Sequence, residues 1–185
     1  MSESMEDLLY KERWEWKFII SLWERDAIVQ DAKPFMKLDA NCEQHGSYEV
    51  RSLYYDTLSL DAYFEKIEGE KTRNKLRLRA YGTPPIDRFC IELKRKINHQ
   101  VEKKRIWCDT EDWPKDWKQR EKLTELNLPK EIFDLLAVKT LQPVVLINYS
   151  RMAFRDDLKA NVRLTFDTNV RSQHRDLRID SPDRG

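Results

Sequence analysis

Charged and apolar residues alternate with a period of two along several stretches of this chain. In Lys75-Leu76-Arg77-Leu78-Arg79-Ala80, in Ile91-Glu92-Leu93-Lys94-Arg95-Lys96 and in Asn161-Val162-Arg163-Leu164-Thr165-Phe166-Asp167, ionised side chains occupy alternate positions and their neighbours are largely apolar. Successive side chains of a strand point to opposite faces, so the pattern predicts strands with one charged and one apolar face. An ordinary solvent face mixes Thr, Ser, Gln, Lys and Glu. Here Arg77, Arg79, Lys94, Lys96 and Arg163 recur at one phase, which predicts several strands lending cations to a single surface.

Other elements follow from the same reading. Residues 1–11 are polar and expected to fray, leaving 12–185 as one domain. Residues 13–20 alternate charge with aromatics, predicting a first strand with Trp14, Trp16 and Phe18 on one face and Arg13, Glu15 and Lys17 on the other. Ser21 is a candidate cap for a helix over 22–38, packed through Leu22, Ile28, Val29, Phe35 and Met36, with Pro34 as a kink or break. Strands are predicted at 48–55, 75–81, 89–96 and 100–108, with a short helix at 61–67 and a turn at Gly82-Thr83-Pro84-Pro85. Residues 111–140 read as helical pieces broken at Pro114 and Pro129, with Ile132, Phe133, Leu135 and Leu136 as an apolar patch. Trp113 and Trp117 read as packing or surface residues. Pro143 opens an apolar strand over 144–149 that runs on toward Phe154, Asp156-Asp157 is a candidate turn, and 161–170 completes the set.

Many antiparallel strands with inserted helices predict an α+β fold, and a charged face on every strand narrows it further. If the sheet closes into an antiparallel barrel of about eight strands, charges line a wet lumen while helices cover the apolar outside.

Composition limits the partners. The 185 residues carry a formal charge of +1, with 36% charged and 40% hydrophobic residues, as in a globular protein, so a basic site must arise by segregation of charge. No apolar run is long enough for a membrane helix, and the N-terminus lacks a basic start followed by an apolar stretch, so a cytoplasmic protein is expected. Cys42, Cys90 and Cys108 lie far apart, as free thiols in a reducing compartment do, and His45, His99 and His174 are scattered surface or loop candidates. Nucleic acid is disfavoured as a partner, because the near-neutral chain lacks a basic stripe and the strand aromatics fall on the face opposite the charges.

The residues sharing the luminal phase are Glu15, Lys17, Arg77, Arg79, Glu92, Lys94, Lys96, Lys103, Arg105, Tyr149, Arg151, Arg163 and Asp167. Cations converging on one cavity repel by several kcal/mol at low effective dielectric unless anions sit among them. A phosphate chain is the natural occupant. Glu15, Glu92 and Asp167 have two candidate tasks, pairing with these cations or offering hard oxygen ligands to Mg²⁺ or Mn²⁺.

Arg13-x-Glu15-x-Lys17, Ser52-Leu53-Tyr54-Tyr55-Asp56-Thr57, Leu76-Arg77-Leu78-Arg79-x-Tyr81, Glu92-Leu93-Lys94, Val101-x-Lys103-x-Arg105, Asn148-Tyr149-Ser150-Arg151-x-Ala153-Phe154 and Val162-Arg163-Leu164-Thr165-Phe166-Asp167-Thr168, in this order, resemble the VTC polyphosphate polymerase domain of the triphosphate tunnel metalloenzymes. The resemblance implies an eight-stranded tunnel in which ATP, with a divalent metal, usually manganese, donates its terminal phosphoryl group to a polyphosphate chain. It implies that Lys17, Arg77, Arg79, Lys94, Lys103, Arg151 and Arg163 do the catalytic work of holding phosphates, helped by Arg105 and Tyr149, with Glu15 and Glu92 toward the metal. Arg13 stands where the wider superfamily has the first Glu of Glu-x-Glu-x-Lys, as in the polymerase branch. The family's closing Glu-x-Lys strand and last helix would lie beyond Gly185, so an open or homodimer-completed barrel is expected. A triphosphate hydrolase and a non-catalytic polyphosphate-binding module are the alternatives on the same tunnel.

Overall fold

A computed structural model describes residues 15–182, except 43, 99, 116, 138 and 157–161. The expectations for residues 1–11, for Arg13 and Trp14, for His99, for Asp157 and for Asn161 lie outside the described residues. Seven antiparallel strands form one curled, open sheet: β1 (Met36–Leu38), β2 (Tyr48–Asp56), β3 (Thr72–Tyr81), β4 (Arg88–Ile97), β5 (Gln100–Asp109), β6 (Gln142–Asp156) and β7 (Arg163–Gln173). The long β6 is the hinge of the arrangement. One of its edges carries β2 and then β1, the other carries β7, and the sheet continues from β2 through β3 and β4 to β5.

The predicted strands at 48–55, 75–81, 89–96, 100–108 and 144–149 are present in lengthened form, and the one predicted over 161–170 is found at Arg163–Gln173. Of the two expectations for closure, a complete barrel of about eight strands and an open one, the described residues show the open one. Among the described residues β5 pairs only with β4 and β7 only with β6, so the sheet is open rather than a complete tunnel. The strand expected over 13–20 is also absent where it is described. Residues 15–20 are irregular, and Trp16 and Phe18 are each 77% exposed instead of forming an apolar face. Alternation makes a segment compatible with a sheet, but a strand needs a neighbour for its backbone groups, and among the described residues this segment pairs with no strand.

Helix α1 (Leu22–Ala32) starts at Ser21 through the expected cap, reinforced by Glu24 reaching back to the Ser21 N–H at 2.7 Å. It ends well before residue 38. Pro34 disfavours helical geometry at the residue before it, and Met36–Leu38 instead pairs with β6. The helix buries no residue, so the packing role expected for Leu22, Ile28 and Val29 is not realised; Leu22, Ile28 and, just beyond the helix, Phe35 are exposed. Helix α2 (Asp61–Ile67) forms as expected. Asp56 accepts its leading amides from Ala62 at 2.9 Å and Tyr63 at 3.1 Å, which compensates for a Leu60 cap with no side-chain acceptor.

The apolar face of the sheet carries the core. Leu53, Tyr55, Leu76, Leu78, Phe89, Ile91 and Leu93 point one way and are covered by α3 (Lys130–Ala137), by the 3-10 helix Trp117–Thr124 and by Trp113, whose ring meets Phe89 edge-on at 5.4 Å. Each such aliphatic or aromatic side chain stabilises the fold by about 1.5–3 kcal/mol. Ile132, Leu135 and Leu136 of the predicted patch are buried in it. A charged residue, Arg51, is buried on this face and donates to the carbonyls of Ile179 at 3.0 Å and Ser181 at 2.5 Å. It thereby fastens residues 174–182 across the core, where Ile179 is buried against it.

Candidate functional site

With the apolar residues committed to one face, strand alternation turns the ionised residues to the other. Register then decides which of them meet. Three rows cross β3, β4 and β5: Lys75, Lys94 and Lys103; Arg77, Glu92 and Arg105, continued by Tyr54 of β2; and Arg79, Cys90 and Trp107, continued by Ser52. Six cations share these rows with one carboxylate, Glu92.

Glu92 is only 3% exposed. Its Oε2 accepts from Arg77 Nε at 2.6 Å and lies 2.5 Å from Arg77 Nη2 and 3.8 Å from Arg79 Nη1, while its Oε1 is 3.0 Å from Arg105 Nε. Burial alone would raise its pKa. The Arg77 and Arg79 charges outweigh burial and hold the carboxyl below its ordinary range. Arg77 also donates to the Tyr54 hydroxyl at 3.1 Å, and Lys75 sits 4.5 Å above the Tyr54 ring. Burial pushes Lys103 down, and the neighbouring Arg105 pushes it further. Arg79 is buried, and its Nε has no hydrogen-bond partner among the described residues.

A second group lies at the junction of β1, β6 and β7. Arg151 grips Asp167 with two bonds of 2.7 and 2.8 Å and covers the Tyr149 ring at 5.1 Å. Asp39, fully buried, accepts from Arg155 at 2.7 Å, Asn41 Nδ2 at 2.7 Å and Arg163 at 3.4 Å, and Arg163 also donates to Tyr48 at 3.3 Å. Tyr149 lies within electrostatic reach of both Arg79 and Arg151, so it bridges the two groups.

The chain belongs to the VTC domain family. The family match covers residues 12–184, and no curated relative matches the chain. Set against the motifs of this VTC domain, the structure brings Arg77, Arg79, Glu92, Lys94, Lys103 and Arg105 together on one surface, with Tyr149 and Arg151 beside them. Lys96 follows on the same face of β4, one row beyond the three lysines. Arg163 belongs to the Asp39 group. Lys17 and Glu15 stay off the sheet, exposed and 3.5 Å from each other, although the Lys17 charge still acts on Lys75.

The carboxylates do not fit the metal role the resemblance implies. Both oxygens of Glu92 are taken by arginines, Glu15 lies away in coil, and among the described residues no three His, Cys, Asp or Glu side chains converge as a metal site. Among the described residues, no helix is long and apolar enough to cross a membrane.

Several participants escaped the sequence reading. Asp39 follows a three-residue strand and has no periodic context, so nothing local marks it. Tyr54, Lys75 and Trp107 were legible by phase, since each stands two residues from a chosen cation or on a paired strand. The expected separation of aromatics from charge is overturned at Tyr54 and Trp107, which lie with the expected Tyr149 on the charged face, each beside a cation.

Proposed function

We propose that this VTC domain binds ATP and a polyphosphate chain on its cationic face and transfers the terminal phosphoryl group of ATP to the end of that chain. The observation that carries the reading is the six-cation surface ordered around Glu92. Phosphoryl transfer asks a protein chiefly for positioning and neutralisation of charge, and it needs no protein nucleophile. Arg77, Arg79 and Arg105 supply forked donors suited to phosphate oxygens. Lys94 and Lys103 extend the track, Tyr149 and Arg151 continue it toward β7, and Lys17 and Arg163 border it. On this reading the open edges of β5 and β7 are joined in a complete tunnel, the domain works in the cytoplasm, and Mn²⁺ or Mg²⁺ arrives with the substrate phosphates.

Incubation with ATP and Mn²⁺, with products resolved by length, tests the proposal. Chains of increasing length are expected; free phosphate without chains overturns it in favour of hydrolysis. A second reading, a non-catalytic polyphosphate-binding module, is favoured by the engagement of both Glu92 oxygens with arginine. It requires salt-sensitive binding of polyphosphate with no turnover of any kind.

A further inference from the structure

Trp107 stands at one end of the cation rows and outside the hydrophobic core. Its neighbours along β5, Ile106 and Cys108, turn toward the core, while Trp107 turns to the charged face opposite Cys90 and is 52% exposed. Two other aromatics of this face are already engaged with cations. Tyr54 lies under Lys75 and hydrogen-bonds Arg77, and Tyr149 is buried beneath Arg151. Arg88 lies over the Trp107 ring, its guanidinium carbon 4.9 Å from the centroid, and is itself 4.0 Å from Asp109.

Trp107 is also spaced to work with Arg105. The two are separated by two residues on the same face of one strand, about 6.8 Å at ordinary strand rise. Phosphates seated on Arg105 and Arg77 therefore leave room for one sugar before reaching the indole. A planar ring at that end would stack on the half-exposed indole of Trp107, and the Arg88 charge beside it would strengthen the hold on an electron-rich base.

We propose that Trp107, braced by Arg88, is a nucleobase platform, and that the face takes a nucleoside 5′-triphosphate with its base on Trp107 and its phosphates running toward Arg105, Glu92 and Arg77. The inference rests on the proposed phosphate-binding role of this face and adds to it a preference for a base-bearing chain over a bare one.

Binding of ATP and of inorganic tripolyphosphate is measured in parallel by calorimetry on the unaltered chain, Trp107→Ala and Trp107→Phe. The expected result is that Trp107→Ala weakens ATP about tenfold, as loss of one stacking partner does, while tripolyphosphate binds unchanged. Trp107→Phe should recover most of the ATP affinity. Equal losses for both ligands, or no loss for ATP, overturn the platform while leaving phosphate binding in place. If the unaltered chain fails to bind tripolyphosphate, the phosphate-binding reading fails and the platform falls with it.

Discussion

Glu92 and Asp39 are both buried carboxylates ringed by arginine, yet they differ in how much positive charge they leave unbalanced and in how far it is buried. Asp39 is satisfied locally by Asn41 and by Arg155 and Arg163, whose side chains are 64% and 47% exposed and keep much of their hydration. Glu92 is shared among Arg77, Arg79 and Arg105, of which the first two are largely buried, and lysines lie on the neighbouring row. Two unit charges one strand spacing apart repel by about 3 kcal/mol at an effective dielectric of 20, so one carboxylate cannot neutralise the whole group. The Asp39 group ties strands together. The Glu92 group holds its cations in place and remains short of negative charge, which is what a phosphate chain supplies.

The largest expected effect comes from breaking the Glu92 group at its centre. Glu92→Gln should cost about 3 kcal/mol of stability in urea unfolding, because it leaves buried Arg79 uncompensated. It should also weaken tripolyphosphate binding, although it raises the net charge by about one unit. Simple neutralisation predicts the reverse, so tighter binding by this variant would show that Glu92 does not position the arginines.

Next is Arg77→Ala, expected to weaken tripolyphosphate about tenfold, or ~1.4 kcal/mol, as the loss of a charge-assisted contact does. An unchanged affinity would place Arg77 outside the site. Asp39→Asn should be milder, costing about 1 kcal/mol of stability and leaving tripolyphosphate affinity within about twofold, since Arg155 and Arg163 can rehydrate. A loss of affinity as large as that of Arg77→Ala would erase the distinction between the two groups.

The smallest effect is in pH dependence. The folded-state pKa of Glu92 is lowered from 4.5, so its stabilisation is complete above that value and disappears as pH falls through the lowered one. The stability gap between the unaltered chain and Glu92→Gln should therefore be constant near neutrality and shrink below about pH 4.5. A gap that instead narrows on the alkaline side would contradict an ionised Glu92 in the folded protein.

Much of the site was legible because strand phase is local information. Arg77, Arg79, Glu92, Lys94 and Arg105 each declare their face through an apolar residue beside them, Lys103 follows from its phase with Val101 and Arg105, and Gly82-Thr83-Pro84-Pro85 announces the turn that places β3 against β4. Phase misled at Glu15 and Lys17, where a strand-like pattern has no strand beside it among the described residues, and along 33–38, where Pro34 ends the helix and the chain is recruited into the sheet by β6.

The sequence by itself determined the membership in the VTC domain family, the strands and the segregation of cations to one side of them, because periodicity of two and short motifs depend on neighbours along the chain. Tertiary structure decided which charges meet. Whether Glu92 serves a metal or three arginines depends on the β3–β4 and β4–β5 registers. Asp39 acquires its arginines from residues more than a hundred positions away, and Arg51 finds its carbonyl partners in the segment after β7. The open edges at β5 and β7 belong to the same class, since pairing is a property of two segments and no single strand encodes its partner.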